Sequence, residues 1–117
     1  QAITGILNQQ CSVEAIFDSG SAICCMSKSV ARRAGIRWDT ARRALMRGAH
    51  DELVYTAGLA TNVPLTIHDH VFILQVYVTE TAAYDVLLGM PFNIYARMQS
   101  ESDEKGHHLV CLHDPDT

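Results

Sequence analysis

The 117-residue sequence holds no apolar stretch approaching the roughly 18 to 20 residues that a membrane-spanning helix needs. Its first residues also lack the charged-then-apolar layout of a secretory signal peptide. A membrane is therefore not an expected partner. Basic residues are in deficit, nine against thirteen acidic ones for a net charge of −4, which weighs against nucleic acid as the main partner. The four cysteines, Cys11, Cys24, Cys25 and Cys111, form no C-x-x-C pair and no spacing typical of a zinc site or a secreted disulfide framework. Free thiols in a reducing setting follow, and with them an intracellular, cytoplasmic location. No internal repeat is visible.

What is present is the composition of an ordinary globular chain, 48% hydrophobic and 19% charged. That amount of sequence fits one domain with one small core, spanning 1–117. Opening on Gln1 and stopping at "HDPDT", it reads as a domain cut from something longer. Arg32, Arg33, Arg37, Arg42, Arg43 and Arg47 gather six of the nine basic residues into one window. A solvated helix face followed by the outer side of a strand accounts for them, and an acidic or phosphate-bearing partner is the alternative.

Patterning along the chain is that of short strands. "AITGIL", the polar turn "NQQ" and the alternating "CSVEAIF" predict a hairpin that delivers Asp18. After "AICCM", Ser27 is placed to cap a short helix "KSVARRA", with Gly35 at its C-terminal stop. Strands return from about Arg42: "RRALM", the polar interval "RGAHDE", "LVYTAGLATNVPLTI", a turn at "HDH", and "VFILQVYV". "DVLLGMPF" predicts a short buried strand closed by Gly89 and Pro91, and "NIYARMQ" a helical turn or two. "SESDEKGHH" reads as a surface loop and "HLVCLH" as a last strand. The fold class is all-β with one or two short helices.

The chemical question sits in "AIFDSGSA", where an apolar run ends on a carboxylate followed by hydroxyls and a glycine. An ordinary turn uses the same residues. A catalytic aspartate on a strand end is the alternative. Peptide hydrolysis without a metal or a covalent nucleophile needs one group to take a proton from water while another supports the carbonyl oxygen and the leaving nitrogen. Two carboxylates sharing one proton do both, and because like charges held close cannot both ionise, they titrate with separated apparent pKa values and favour mildly acidic conditions.

The block "AIFDSGSAICCMSKSVARRAGI", a hairpin, "NVPLTI", "VFILQVYV" and "AYDVLLGMPF" resembles the retropepsin-like aspartic proteases, in particular those of Ty3/gypsy-type retrotransposon polyproteins of fungi. The likeness runs from about Ile6 to Met98. It implies a closed β-barrel of the acid protease fold, one lobe per chain, and an endopeptidase that processes a polyprotein. One Asp motif per chain implies a homodimer, with Asp18 from each copy forming the dyad and a peptide or polyprotein as substrate.

By the same resemblance Ser19, Gly20 and Ser21 support the dyad. Ser19 would brace the two loops, Gly20 would allow close approach of backbones, and Ser21 would hydrogen-bond the Asp18 carboxylate and lower its pKa. "RGAHDEL" matches the flap, with Ala49, His50 and Asp51 near its tip beside the single Gly48. Ala22, Ile23, Asp85 and Leu87 fall at substrate-facing positions, and the terminal strands near Ile3 to Leu7 and Leu109 to Leu112 are candidates for an interface sheet. Met90 stands where retroviral members carry an arginine that supports the dimer through an ion pair.

No cofactor is called for and no metal is assigned. His68 and His70 share one side of a strand if that segment is extended, but "HDH" between two strand patterns reads as a solvated turn. Two other functions stand beside the protease: the same fold without activity, serving as a dimerisation or peptide-binding module, and a nucleic-acid-associated domain using the arginine cluster.

Overall fold

The computed structural model describes residues 2–18, 20–47, 50–80 and 84–103, with side chains described as far as Arg97 in the final helix. The first hairpin pairs β1 (Ala2–Leu7) with β2 (Cys11–Phe17) in antiparallel register from Ala2↔Ile16 to Leu7↔Cys11. Its turn uses Asn8 and Gln9 at positive φ, 53° and 59°. Asparagine tolerates that left-handed conformation, and two such residues in a row give a turn whose twist suits a tight hairpin. Alternation along β2 sends Val13 and Ala15 into the core and Ser12 and Glu14 to solvent, as the sequence predicts.

β3 (Cys25–Ser27) runs directly into α1 (Lys28–Arg33). Ser27 caps this helix, its hydroxyl accepting from the Val30 N–H at 3.2 Å, and Gly35 ends it with φ +69°. A serine cap of this kind contributes about 1 kcal/mol. β4 (Leu45–Arg47) and β5 (Leu53–Tyr55) form a separate two-stranded hairpin in which Leu45 faces Tyr55 and Arg47 faces Leu53. β6 (Gly58–Ile67) and β7 (His70–Thr79) are the long strands, joined by a turn with His68 at φ 56°. β8 (Val86–Leu88) leads into α2 (Met90–Asp103).

Six strands close into a barrel in the order β1-β2-β8-β3-β7-β6, with β1 returning to β6 through Ile6↔Thr66 and Leu7↔Leu65. The all-β fold class with a closed barrel and two short helices is therefore the observed one. Inward residues from every strand, among them Leu7, Val13, Leu65, Ile67, Phe72, Val76, Val78, Val86 and Leu88, form one core. Val30 and Ala31 of α1 cover it on one flank, Phe92 and Ala96 of α2 on another. Phe72 has Phe92 at 5.0 Å and Tyr95 at 5.6 Å, both edge-on, and His70 at 4.5 Å. Burying each such large apolar side chain stabilises the fold by about 1.5–3 kcal/mol.

Three segments differ from the sequence reading. The run 53–67 is not one strand: Thr56 is buried and exchanges bonds with Ala44, its N–H donating to the Ala44 carbonyl at 2.8 Å and its hydroxyl accepting from the Ala44 N–H at 2.9 Å. That bond pair pins the base of the β4–β5 hairpin and turns the chain before β6. α2 is longer than a turn or two. It begins at Met90 with Pro91 in its first turn, where a missing N–H costs nothing, and it carries Ser100–Asp103, which the sequence placed in a loop. His70 is the first residue of β7 rather than part of the turn. The predicted strand "HLVCLH", and with it the terminal interface strand near Leu109 to Leu112, lies outside the described residues.

Candidate active site

β2 ends one residue before Asp18, and what receives it is β8. The two strands are parallel, Ala15↔Val86, Ile16↔Leu87 and Phe17↔Leu88, and the Asp18 N–H continues the ladder by donating to the Leu88 carbonyl at 2.9 Å. Beyond it the backbone turns tightly. The Ser21 N–H donates to the Asp18 carbonyl at 3.1 Å, and the Gly20 N–H donates to Asp18 Oδ1 at 3.0 Å, an Asx turn that fixes the carboxylate against its own loop. Asp18 itself is exposed.

A second set of contacts ties this loop to the start of α2. The Met90 N–H donates to the Ser21 carbonyl at 2.8 Å. Gly89 lies so close to the loop that a Cβ there would sit 2.3 Å from the Ile23 carbonyl oxygen and 2.8 Å from that of Ser21, so only glycine fits. The Gly89 N–H also donates to the Cys24 sulfur at 3.4 Å. "DSGSAI" and "VLLGM", about seventy residues apart in sequence, are thus one backbone unit.

Ser21 does not bond the Asp18 carboxylate within the chain. Its hydroxyl donates to the Ile23 carbonyl at 2.8 Å and accepts weakly from the Ile23 N–H at 3.4 Å, which holds the descent of the loop into β3. The expected lowering of the Asp18 pKa by Ser21 loses its basis, because the only hydroxyl hydrogen is used elsewhere. Ala22 is exposed and Ile23 half-buried. Leu87 is half-buried on the opposite face of β8 from the core residues Val86 and Leu88. Cys25, paired with Leu87 across the β3–β8 ladder, is fully buried, and burial with the neighbouring Cys24 pushes its thiol up to about 12. Cys24 is shifted upward as well, by burial.

Asp85 is engaged structurally. Its Oδ2 accepts from the Glu14 N–H at 2.9 Å and its Oδ1 lies 3.7 Å from Arg33, so the carboxylate joins β2, the entry to β8 and α1. A substrate-wall role read from the sequence is replaced by this clamp. The adjacent Tyr84 was missed in the sequence. It is half-buried, and its phenol is pushed up by burial, then by Cys25 and by the charge of Asp18. An aromatic just before a polar residue in "AAYD" carries no pattern that would have singled it out.

At the β4–β5 hairpin, Arg47 donates to the Asp51 carbonyl at 3.0 Å and pairs with its carboxylate at 3.2 Å, while the His50 N–H donates to Glu52 at 2.9 Å. Asp51 thus closes the tip, at φ 66°, and His50 is exposed. Both faces of β5 are exposed although all three residues are apolar. Ser19, Gly48 and Ala49 lie outside the described residues. Among the described residues no group of three or more histidine, cysteine, aspartate or glutamate side chains is placed to hold a metal, and no helix is long and apolar enough to cross a membrane.

Comparison with known proteins agrees with this geometry. A family model described as gag-polyprotein putative aspartyl protease matches residues 3–92, and the chain belongs to that family of retroviral-type aspartyl proteases. Among solved structures, the retroviral protease-like domain of Ddi1 from Leishmania major superposes with a TM-score of 0.67 at 22% sequence identity, covering 82% of this chain and 76% of that one. That likeness is one of fold. No curated protein matches.

Proposed function

We propose that the protein is an aspartic endopeptidase whose active site is completed by a second copy of the chain. The observation that supports this most directly is the seating of the "DSGS" loop. Asp18 is exposed, held by the Leu88 carbonyl from below and by the Gly20 N–H from the side, in a member of an aspartyl protease family. One carboxylate cannot serve as both proton acceptor and proton donor in the same step, and the chain carries one such motif. Two Asp18 carboxylates brought together share a single proton. The ionised one removes a proton from water as the oxygen attacks the peptide carbonyl, and the protonated one donates to the carbonyl oxygen and later supports departure of the amine.

The β4–β5 hairpin projects from the barrel with apolar residues exposed on both faces, which suits a cover for an extended peptide bound as an added strand. Ile23 and Leu87, half-buried beside the loop, favour apolar substrate side chains. A polyprotein of retroelement type, presenting apolar extended segments, is the substrate class this reading selects.

The test is cleavage of an unstructured, hydrophobic-rich protein at about pH 5 over a range of enzyme concentrations, beside Asp18→Asn. Activity rising faster than linearly with concentration, and absent in the variant, is the expected result. Equal silence of both proteins at concentrations where the wild type is dimeric by sedimentation refutes the protease and leaves a binding module of the same fold.

A further inference from the structure

The face that receives the second copy can be read from what adjoins Asp18. The loop and the first turn of α2 are locked together by the Met90 N–H bond to Ser21 and by the backbone contact at Gly89. Whatever packs over the Asp18 loop therefore meets the start of α2. That helix buries Phe92 and Ala96 against the barrel, yet on its other side Met90 is 42% and Ile94 52% exposed, one helical turn apart. Residues at i and i+4 lie on one helix face, so the two make a continuous apolar strip leading away from the catalytic loop.

We propose that the second copy docks across the Asp18 loop and the first two turns of α2, with Met90 and Ile94 as the apolar contacts beside the paired carboxylates. The proposal rests on the protease reading, because it is the need for a twin Asp18 that identifies the occupant. Size requires that the contact run over both elements. A stable interface buries roughly 800 Å² on each partner, more than two side chains supply, and the exposed Asp18, Gly20 and Ala22 extend the strip. Twofold symmetry then makes the surface self-complementary, so that one protomer's strip meets its partner's at the axis. The other exposed apolar row, Ile6 on β1 with Val71 and Ile73 on β7, lies on strands whose register links Ile6 through Thr66 to Val71, and no bond among the described residues joins it to the Asp18 loop.

The experiment is sedimentation analysis of the whole chain carrying Ile94→Glu, Ile94→Lys or, as control, Ile6→Glu, with peptide cleavage measured in parallel. Each Ile94 variant is expected to raise the dimer dissociation constant by about thirty-fold or more, the effect of losing one central contact. An equimolar mixture of the Glu and Lys variants is expected to recover dimer, since opposite charges meet at the axis. Ile6→Glu is expected to leave the constant unchanged. Circular dichroism checks folding, and Met90→Glu substitutes if an Ile94 variant fails to fold. An Ile94→Glu protein that dimerises as wild type overturns the proposal, as does loss of the dimer in Ile6→Glu or a wild type that stays monomeric. A wild-type dimer that is lost in Ile94→Glu but never cleaves supports the face and refutes the protease. An Ile94→Glu dimer that cleaves normally does the reverse.

Discussion

Replacing Gly89 by alanine tests whether the catalytic loop and β8 are one unit. The added Cβ lies 2.3 Å from the Ile23 carbonyl oxygen and 2.8 Å from that of Ser21, where ordinary contact begins near 3.4 Å. Both obstacles are backbone atoms, so no side chain can swing away, and the loop must move by about 1 Å. Overpacking of this kind costs about 1–3 kcal/mol. The displacement also breaks or stretches the bonds from Met90 N–H to Ser21 and from Asp18 N–H to Leu88, at about 1 kcal/mol each. A loss of about 3–5 kcal/mol follows, a large share of a typical domain's stability. For a chain of this length it lowers the melting temperature by about 12–20 °C in a calorimetric or circular dichroism scan. Gly20→Ala is the contrasting variant. A Cβ there approaches only Asp18 Oδ1, at 3.3 Å, so the melting temperature is expected to stay close to wild type. A Gly89→Ala protein that melts like wild type would refute the claim that this contact assembles the site.

Two further outcomes follow from the same structure. Asp85→Ala removes the acceptor for the Glu14 N–H and the Arg33 partner; because the pair with Arg33 is largely exposed, the hydrogen bond dominates, and a loss of about 1–2 kcal/mol in urea unfolding is expected. The buried thiols set an alkaline limit: with Cys25 raised from 9.0 to about 12, folding holds the neutral form, so its contribution to stability is full below pH 9 and is lost as pH rises toward 12. Thermal stability measured from pH 8 to 11 is expected to fall, less steeply in Cys25→Ala. Alkylation of the native protein at pH 8 is expected to spare Cys24 and Cys25, since the thiolate is the reactive form; rapid modification of either would contradict the burial described.

Much of the barrel is legible in the sequence because its signals are local. Alternation in "CSVEAIF", the polar turn "NQQ", the serine cap before α1 and the glycine after it each act within a few residues, and each appears where expected. Asp18 at the end of β2 is legible for the same reason. What resists reading depends on distant partners. The break at Thr56 is set by Ala44, and Gly58 passes within 2.4 Å, measured from a hypothetical Cβ, of the Asp39 carbonyl. Nothing in "LVYTAGLATNV" marks those approaches. Ser21 is a similar case: the choice of its hydroxyl between the Asp18 carboxylate and the Ile23 carbonyl is a matter of ångströms, and residue type alone cannot make it. Asp85 beside "VLLG" has the composition of a substrate contact, and only the register of β2 against β8 reveals the Glu14 N–H waiting for it.

The junction of the Asp18 loop with Leu88, Gly89 and Met90 also bears on timing. A chain emerging from the ribosome exposes residue 18 long before residue 88, and domains complete their folding only when the last strand they need is available. Until β8 and the first turn of α2 have been synthesised, the carboxylate has neither the carbonyl that seats it nor the backbone that braces its loop. A polypeptide interrupted before Val86 therefore carries the full "DSGS" motif and no working half-site. In a longer translation product, premature self-cleavage during synthesis is prevented by chain order alone, without an inhibitor or a propeptide.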